Sequence, residues 1–218
     1  MSEEKSIIRK MIIPLLKLFG LYSLAQLRDR GPLVEFGWFR SFKEKKPVDK
    51  SGNPLPWFSY PMIYFLEKRV QPAFSVFEFG AGNSTLWWAK RVLRVVTCEH
   101  DPAWFHTVKK SAPSNTTVLF IENSQEDYIK TVKNVSEKFD IIVIDGNQRV
   151  QCIKESLPSL KPDGIIILDD SDRPEYAEGV QYLRNQGFRH IEFYGNTACV
   201  NVGKETSVFY RTKNCLNI

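Results

Sequence analysis

One stretch limits the fold of this chain more than any other: Phe74-Ser75-Val76-Phe77-Glu78-Phe79-Gly80-Ala81-Gly82-Asn83-Ser84-Thr85. A short run rich in apolar, β-branched and aromatic residues has the length of a buried strand, and it ends at two glycines separated by one residue. Asn83, Ser84 or Thr85 can then cap a helix running through Leu86 to Leu93. A strand, a glycine turn and a helix N-terminus bring backbone N–H groups close to a ligand. Thr85 stands where the dinucleotide fingerprint needs a third small residue, which counts against a pyrophosphate ligand. A second strand, Val95 to Cys98, ends at Glu99, 17 residues beyond Gly82. That is near the spacing at which an acid accepts from ribose hydroxyls. The plainer alternative is a tight turn with an incidental surface glutamate.

Glu78-Phe79-Gly80-Ala81-Gly82-Asn83-Ser84-Thr85 followed by Glu99-His100-Asp101 resembles the first two motifs of the class I S-adenosylmethionine-dependent methyltransferases. The resemblance covers about Pro72 to Thr212. It implies S-adenosyl-L-methionine as methyl donor, with Glu78, Gly80, Gly82, Ser84, Glu99, His100, Ser124, Gln125 and Asp145 around it. Ser84 matches the family position that bonds the donor carboxylate. Ser124-Gln125 matches a pair that contacts adenine in catechol-type O-methyltransferases; a serine N-cap of the next helix is the alternative.

The rest of the chain suits that fold class. Thr116 to Ile121 reads as a third strand, and Phe139 to Ile144 as a fourth, apolar on both faces as parallel strands are. Gly164 to Asp170 reads as a fifth. Phe188–Tyr194 and Ser207–Thr212 read as two final strands, antiparallel because the link between them is too short for a helical crossover. The expectation is an α/β, Rossmann-like, doubly wound sheet of seven strands, mostly parallel with an antiparallel last strand, over residues 71–218.

Residues 1–70 read as an N-terminal helical extension that is not an independent domain. Ile7, Ile8, Met11, Ile12, Leu15, Leu16 and Phe19 form a helical stripe interrupted by Pro14. The stripe can pack on its own domain, which is the favoured reading, pair with a second copy as a homodimer, or lie on an anionic membrane surface as a peripheral contact. Gly31 to Asn53 reads as a basic surface loop. Ser59 or Tyr60 precedes a helix beginning at Pro61, either a cover for the core or a wall over the substrate.

Charge separates the two parts. Residues 1–70 carry 13 Lys and Arg against 7 Asp and Glu, whereas residues 71–218 carry 17 against 18. A nearly neutral catalytic region speaks against nucleic acid as the partner, because a phosphate-tracking groove needs clustered cations. Cys98, Cys152, Cys199 and Cys215 lack paired spacing and read as reduced thiols of a cytoplasmic protein.

Asp145, Asp169 and Asp170 follow the fourth and fifth strands, where open α/β sheets bind ligands. The catechol-type resemblance implies that such positions hold a divalent ion, here Mg²⁺ on Asp145, Asp169 and Asp170. An arginine compensating the same carboxylates is the alternative. The family's catalytic lysine position is Gln148 here, with Arg149 next, and arginine stays protonated. Asp145 and Arg149 are therefore the catalytic candidates, Arg149 as a clamp for an anionic group. His106 and His190 read as structural. The expected activity is O-methylation of a small-molecule hydroxyl. A non-catalytic donor-binding protein and an aminopropyltransferase-like enzyme are the alternatives.

Overall fold

The computed structural model describes residues 12–122 and 125–218. Ile7, Ile8, Met11 and Ser124 lie outside them. Among the described residues the centre is a seven-stranded sheet of order β3-β2-β1-β4-β5-β7-β6. Its strands are β1 (Ser75–Phe79), β2 (Arg94–Glu99), β3 (Thr116–Phe120), β4 (Phe139–Ile144), β5 (Leu160–Asp169), β6 (Arg189–Asn196) and β7 (Gly203–Tyr210). The first five pair in parallel; β7 lies between β5 and β6 and is antiparallel to both. The order reverses between β1 and β4, and the crevice outside the carboxyl ends there is the place where this architecture takes ligands.

Every residue of β4 is buried, as expected of a central parallel strand covered on both faces. Alternate residues serve opposite layers. Val76, Ile141, Val143, Ile165 and Ile167 face a core that contains Trp87 and Trp88. Phe77, Phe79, Ile142, Ile144, Ile166 and Leu168 face the other core. Helices alternate with the strands: α1 (Tyr22–Asp29), α2 (Pro32–Glu35), α3 (Trp38–Glu44), α4 (Tyr60–Glu67), α5 (Asn83–Ala89), α6 (Pro102–Ser111), α7 (Gln125–Asn134), α8 (Arg149–Ser156) and α9 (Ala177–Asn185).

The N-terminal part divides into two halves. Phe58, Met62, Ile63 and Leu66 are fully buried in the same core as Trp87 and Trp88. Each such side chain contributes about 1.5–3 kcal/mol of transfer free energy. Phe65 packs on Phe193 of β6, with ring centroids 4.7 Å apart. So α4 covers the sheet, the first of the two expectations for this segment, while Trp57 just before it lines a cleft. Gly31 to Asn53 is not a plain loop: it holds α2 and α3 and closes with a Val48–Pro54 bridge.

Residues 12–18 are helical, and the chain breaks at Gly20 (φ 67°) rather than at Pro14. Ile12, Leu15, Leu18, Phe19, Leu24 and Leu27 are all exposed, and α1 buries no residue. Packing of the stripe on its own domain is therefore not what is observed for Ile12, Leu15 and Phe19. Short helices separated by glycine turns cannot carry one continuous apolar face onto the sheet. No helix among the described residues is long and apolar enough to cross a membrane.

Candidate active site

The turn after β1 is held by close backbone approach. Gly80 has φ 91°, a region open to glycine, and an added Cβ would lie 2.7 Å from the Asp145 carbonyl oxygen. Gly80 N–H donates to the Cys98 carbonyl at 3.0 Å, and Asp145 N–H to the Phe79 carbonyl at 3.1 Å. The turn is thereby locked to the ends of both neighbouring strands. Gly82 differs. Its backbone is extended, and an added Cβ would meet nothing closer than Ser84 Oγ at 3.8 Å and the Trp104 ring. No protein atom requires glycine there.

Gly82 is also the N-cap of α5, in place of the expected polar side chain. Its N–H donates to Thr85 Oγ1 at 2.9 Å, and the Thr85 hydroxyl donates to Glu78 Oε2. Asn83 instead reaches back, its amide donating to the Pro47 carbonyl at 2.6 Å. Glu78 is fully buried beneath the turn and does not line the cleft. Burial pushes its carboxyl up to about 7, against the Ser84 and Thr85 hydroxyls, which favour the charged form.

Glu99 ends β2 and is 5% exposed. Its Oε1 accepts from the His100 and Asp101 N–H groups, both at 2.8 Å, and its Oε2 accepts from Ala81 N–H at 3.1 Å. Oε2 thus retains a lone pair. His100 links two strand ends: Nδ1 lies 3.0 Å from Glu99 Oε1, and Nε2 lies 2.9 Å from the Asn147 amide nitrogen. With the Asn147 amide as donor, the imidazole proton sits on Nδ1 and points at Glu99.

These groups surround a cleft of about 800 Å³, lined by Gly80 to Ser84, Glu99 to Asp101, Trp104, Tyr128, Asp145, Gly146, Asn147 and Arg149. Lys45, Lys46, Pro47 and Trp57 close its far side. Trp104 is not among the site residues singled out from the sequence. In the structure its indole N–H donates to the Ala81 carbonyl and its ring borders the cleft. The Asp101-Pro102 pair was the available signal, since Asp101 caps α6 through the Trp104 N–H at 2.6 Å. Gln125 opens α7 at the surface and does not line the cleft; Tyr128, one turn on, does.

Asp145, Asp169 and Asp170 converge as expected at the ends of β4 and β5, together with two cations. Arg149, the first residue of α8, donates through Nη2 to Asp145 Oδ1 at 3.0 Å and through Nε to the Gly146 carbonyl at 3.1 Å. Its Nη1 donates to the Asp169 carbonyl and lies 3.4 Å from Asp170 Oδ2. Burial alone would lower the Arg149 guanidinium, but Asp145 and Asp169 hold it above its ordinary value. Lys204 of β7, unremarkable in the sequence, contacts both Asp169 and Asp170. Burial, with the charge of Asp169, pushes Asp145 well above the usual carboxylate range; Arg149 and Lys204 pull the other way. Gln148 and Asp170 take positive φ, 52° and 51°, so strained backbone gathers at this edge. The Mg²⁺ implied by the catechol-type resemblance does not fit well, because these carboxylates already face Arg149, Lys204, Arg173 and the Thr206 hydroxyl. Among the described residues no group of three or more His, Cys, Asp or Glu is arranged to hold a metal ion.

Residues 77–171 match the family described as a methyltransferase domain. Among solved structures, precorrin-6y C5,15-methyltransferase from Geobacter metallireducens GS-15 aligns at TM-score 0.54 and 12% identity, over 78% of this chain and 96% of that one. An rRNA methylase from Streptococcus thermophilus aligns at 0.53 and 14%, over 69% and 96%. Spermidine synthase from Thermotoga maritima aligns at 0.51 and 16%, over 73% and 59%. At these identities the structures share a fold and nothing finer. No curated protein matches the chain. The chain thus carries a methyltransferase domain over residues 77–171, set on a strand order, glycine turn and crevice-edge acid that resemble those of the class I S-adenosylmethionine-dependent methyltransferases.

Proposed function

We propose that the chain transfers a methyl group from S-adenosyl-L-methionine to a hydroxyl of a small molecule in this cleft. The carrying observation is Gly82. An added Cβ there would make only ordinary contacts with Ser84 and Trp104, so no protein atom requires the bare backbone, and a ligand approaching it closely would. The open lone pair of Glu99 Oε2 suits a ribose hydroxyl, and Ser84 stands at the helix N-terminus where a carboxylate is stabilised. His100 and Asn147 border the adenine side on this reading. Glu78 acts from below by holding Thr85 and hence the Gly82 N–H.

The donor supplies an electrophilic methyl group for in-line displacement. The chain's task is to align the acceptor oxygen and take its proton. Asp145 is placed for the second part. It lines the cleft, its raised affinity for a proton suits a base, and Arg149 fixes one of its oxygens. Arg149 stays charged, and with Lys45 and Lys46 it favours an acceptor carrying an anionic group. Trp57 offers a flat apolar wall. A confined cleft and the near-neutral residues 71–218 favour a small acceptor over RNA. Aminopropyl transfer has only the shared fold behind it.

On this reading residues 31–70 belong to the catalytic unit, because Lys45 to Pro47 and Trp57 complete the cleft. The exposed Leu15, Leu18, Phe19, Leu24 and Leu27 are available to a second subunit or an anionic surface. Calorimetric titration with S-adenosyl-L-methionine tests the donor site. Glu99→Ala should weaken binding by about 1–3 kcal/mol, the cost of removing a charged hydrogen-bond partner. Methyl transfer is then assayed over a panel of small hydroxyl compounds with and without an anionic group. Donor affinity unchanged by Glu99→Ala would remove that assignment; donor binding with no transfer to any hydroxyl would remove the acceptor assignment.

A further inference from the structure

Lys204 sits in an oxygen cage. Its ammonium contacts Asp169 Oδ2, Asp170 Oδ1 at 3.0 Å and the Trp57 carbonyl oxygen at 2.9 Å. It donates hydrogen bonds to Asp169 and to Trp57 and is ion-paired with Asp170, so three oxygens surround a group that has three N–H donors. The side chain is 16% exposed, while that of Asp169 is 1% exposed.

The cage follows from register. In the antiparallel β5–β7 pair, Asp169 lies opposite Thr206. Lys204 is two residues before Thr206 and so on the same face of β7, one step past the end of β5. Thr206 Oγ1 donates to Asp169 Oδ1 at 2.7 Å, and Lys204 takes the other oxygen. Asp170, turned by its positive φ, gives Oδ1 to Lys204 and Oδ2 to Arg173 at 2.9 Å and Arg149 at 3.4 Å. Asp145 Oδ1 is held by Arg149. Among the described residues, five of the six carboxylate oxygens meet a cation or a hydroxyl, and Asp145 Oδ2 is the sixth.

Asp145, Asp169 and Asp170 are the kind of oxygen donors that hard divalent ions take, but with Lys204 in place they are not arranged around an ion. We propose that Lys204 takes the place of that ion: its ammonium is the resident cation of the carboxylate cluster, so the site is metal-free by construction. Lys204 is then a positioning residue. It holds Asp169 and Asp170, which face Arg149 and through it Asp145, and it ties the Trp57 wall to the sheet edge. Its removal should convert the cluster into a divalent-cation site.

The proposal concerns the cleft already read as the methyl-transfer site, but its test needs neither donor nor acceptor. Chelator-treated protein is titrated with Mn²⁺, and free Mn²⁺ is read from its electron paramagnetic resonance signal. The wild-type chain should take up no Mn²⁺ in a manner that depends on Asp169. Lys204→Ala and Lys204→Ser should each gain one site at least tenfold tighter than anything in the wild type. Adding Asp169→Asn should abolish the gained site, and Lys204→Arg should behave as wild type. If either small variant loses its fold, Mn²⁺ should restore a cooperative melt; no restoration overturns the proposal. Stoichiometric Mn²⁺ binding by the wild type that Asp169→Asn removes overturns it, as do folded Lys204 variants that gain no site. Failure of methyl transfer with any hydroxyl acceptor would leave these results standing and count against the acceptor reading alone.

Discussion

The Cβ that Gly80 lacks would lie 2.7 Å from the carbonyl oxygen of Asp145, so the turn after β1 and the end of β4 touch through bare backbone. Atoms of that kind have no rotamer to escape into. The two strands at the point of order reversal are thus brought as close as a chain permits, and the crevice opens immediately above them.

Gly80 and Gly82 should therefore respond differently to one added methyl group. Gly80→Ala meets both positive φ and the Asp145 carbonyl, and should lose roughly 1–3 kcal/mol or more of stability. Gly82→Ala meets only ordinary contacts and should stay within about 1 kcal/mol of wild type, while its donor affinity falls at least about tenfold, or 1.4 kcal/mol. Urea denaturation and calorimetric titration separate the two. Equal destabilisation of both variants, with donor binding unchanged in Gly82→Ala, would contradict the idea that Gly82 is spared for a ligand.

Glu78 gives stability a pH dependence with a definite sign. Its carboxyl is raised from 4.5 to about 7 in the folded chain, chiefly by burial. Between those values the folded state holds more protons than the unfolded state. Its contribution is therefore fully present below about 4.5, falls as pH rises toward 7, and is flat above. The slope should approach about 1.4 kcal/mol per pH unit at its steepest. Glu78→Gln should keep the Thr85 contact and remove this part of the dependence. Denaturation midpoints measured from pH 5 to 8 in both proteins check it; parallel curves would rule it out.

Truncation should show where the catalytic unit begins. Residues 12–29 bury almost nothing, so a chain starting after Arg30 should melt within a few degrees of the full chain. A chain starting at Pro54 loses Val48, the Phe36 ring stacked 4.7 Å from Tyr60, and the Pro47 carbonyl that holds Asn83. It should lose several kcal/mol, as core truncations do, and turn over acceptor poorly through loss of Lys45 and Lys46. Thermal melts and transfer assays on the two deletions decide this. The longer deletion folding and working as well as the shorter would detach residues 31–53 from the site.

Much of the fold was legible along the chain. The pattern of a parallel strand is local: Phe139 to Ile144 is apolar throughout because both faces are covered, and a glycine turn followed by a helix start is written in consecutive residues. The seven strands, the antiparallel last one and the cleft at Gly80, Gly82 and Glu99 follow from features a few residues long. So does the meeting of Asp145 with Asp169 and Asp170, since both follow apolar runs that can only be neighbouring strands. What closes the cleft was not legible. Lys204 falls in the link before the strand read at Ser207–Thr212; β7 in fact starts at Gly203, and the β5–β7 register sets Lys204 beside Asp169, 35 residues away. Trp57 becomes a wall because α4 is buried against β6, and Lys45 lies beside the Pro47 carbonyl that Asn83 holds. The Asn83 amide finds the Pro47 carbonyl, 36 residues earlier, and gives up the capping role its residue type suggests. Local patterns record which face of an element must leave water. Which cation meets which carboxylate depends on the register and packing of distant segments, and that is decided only when the whole chain has closed.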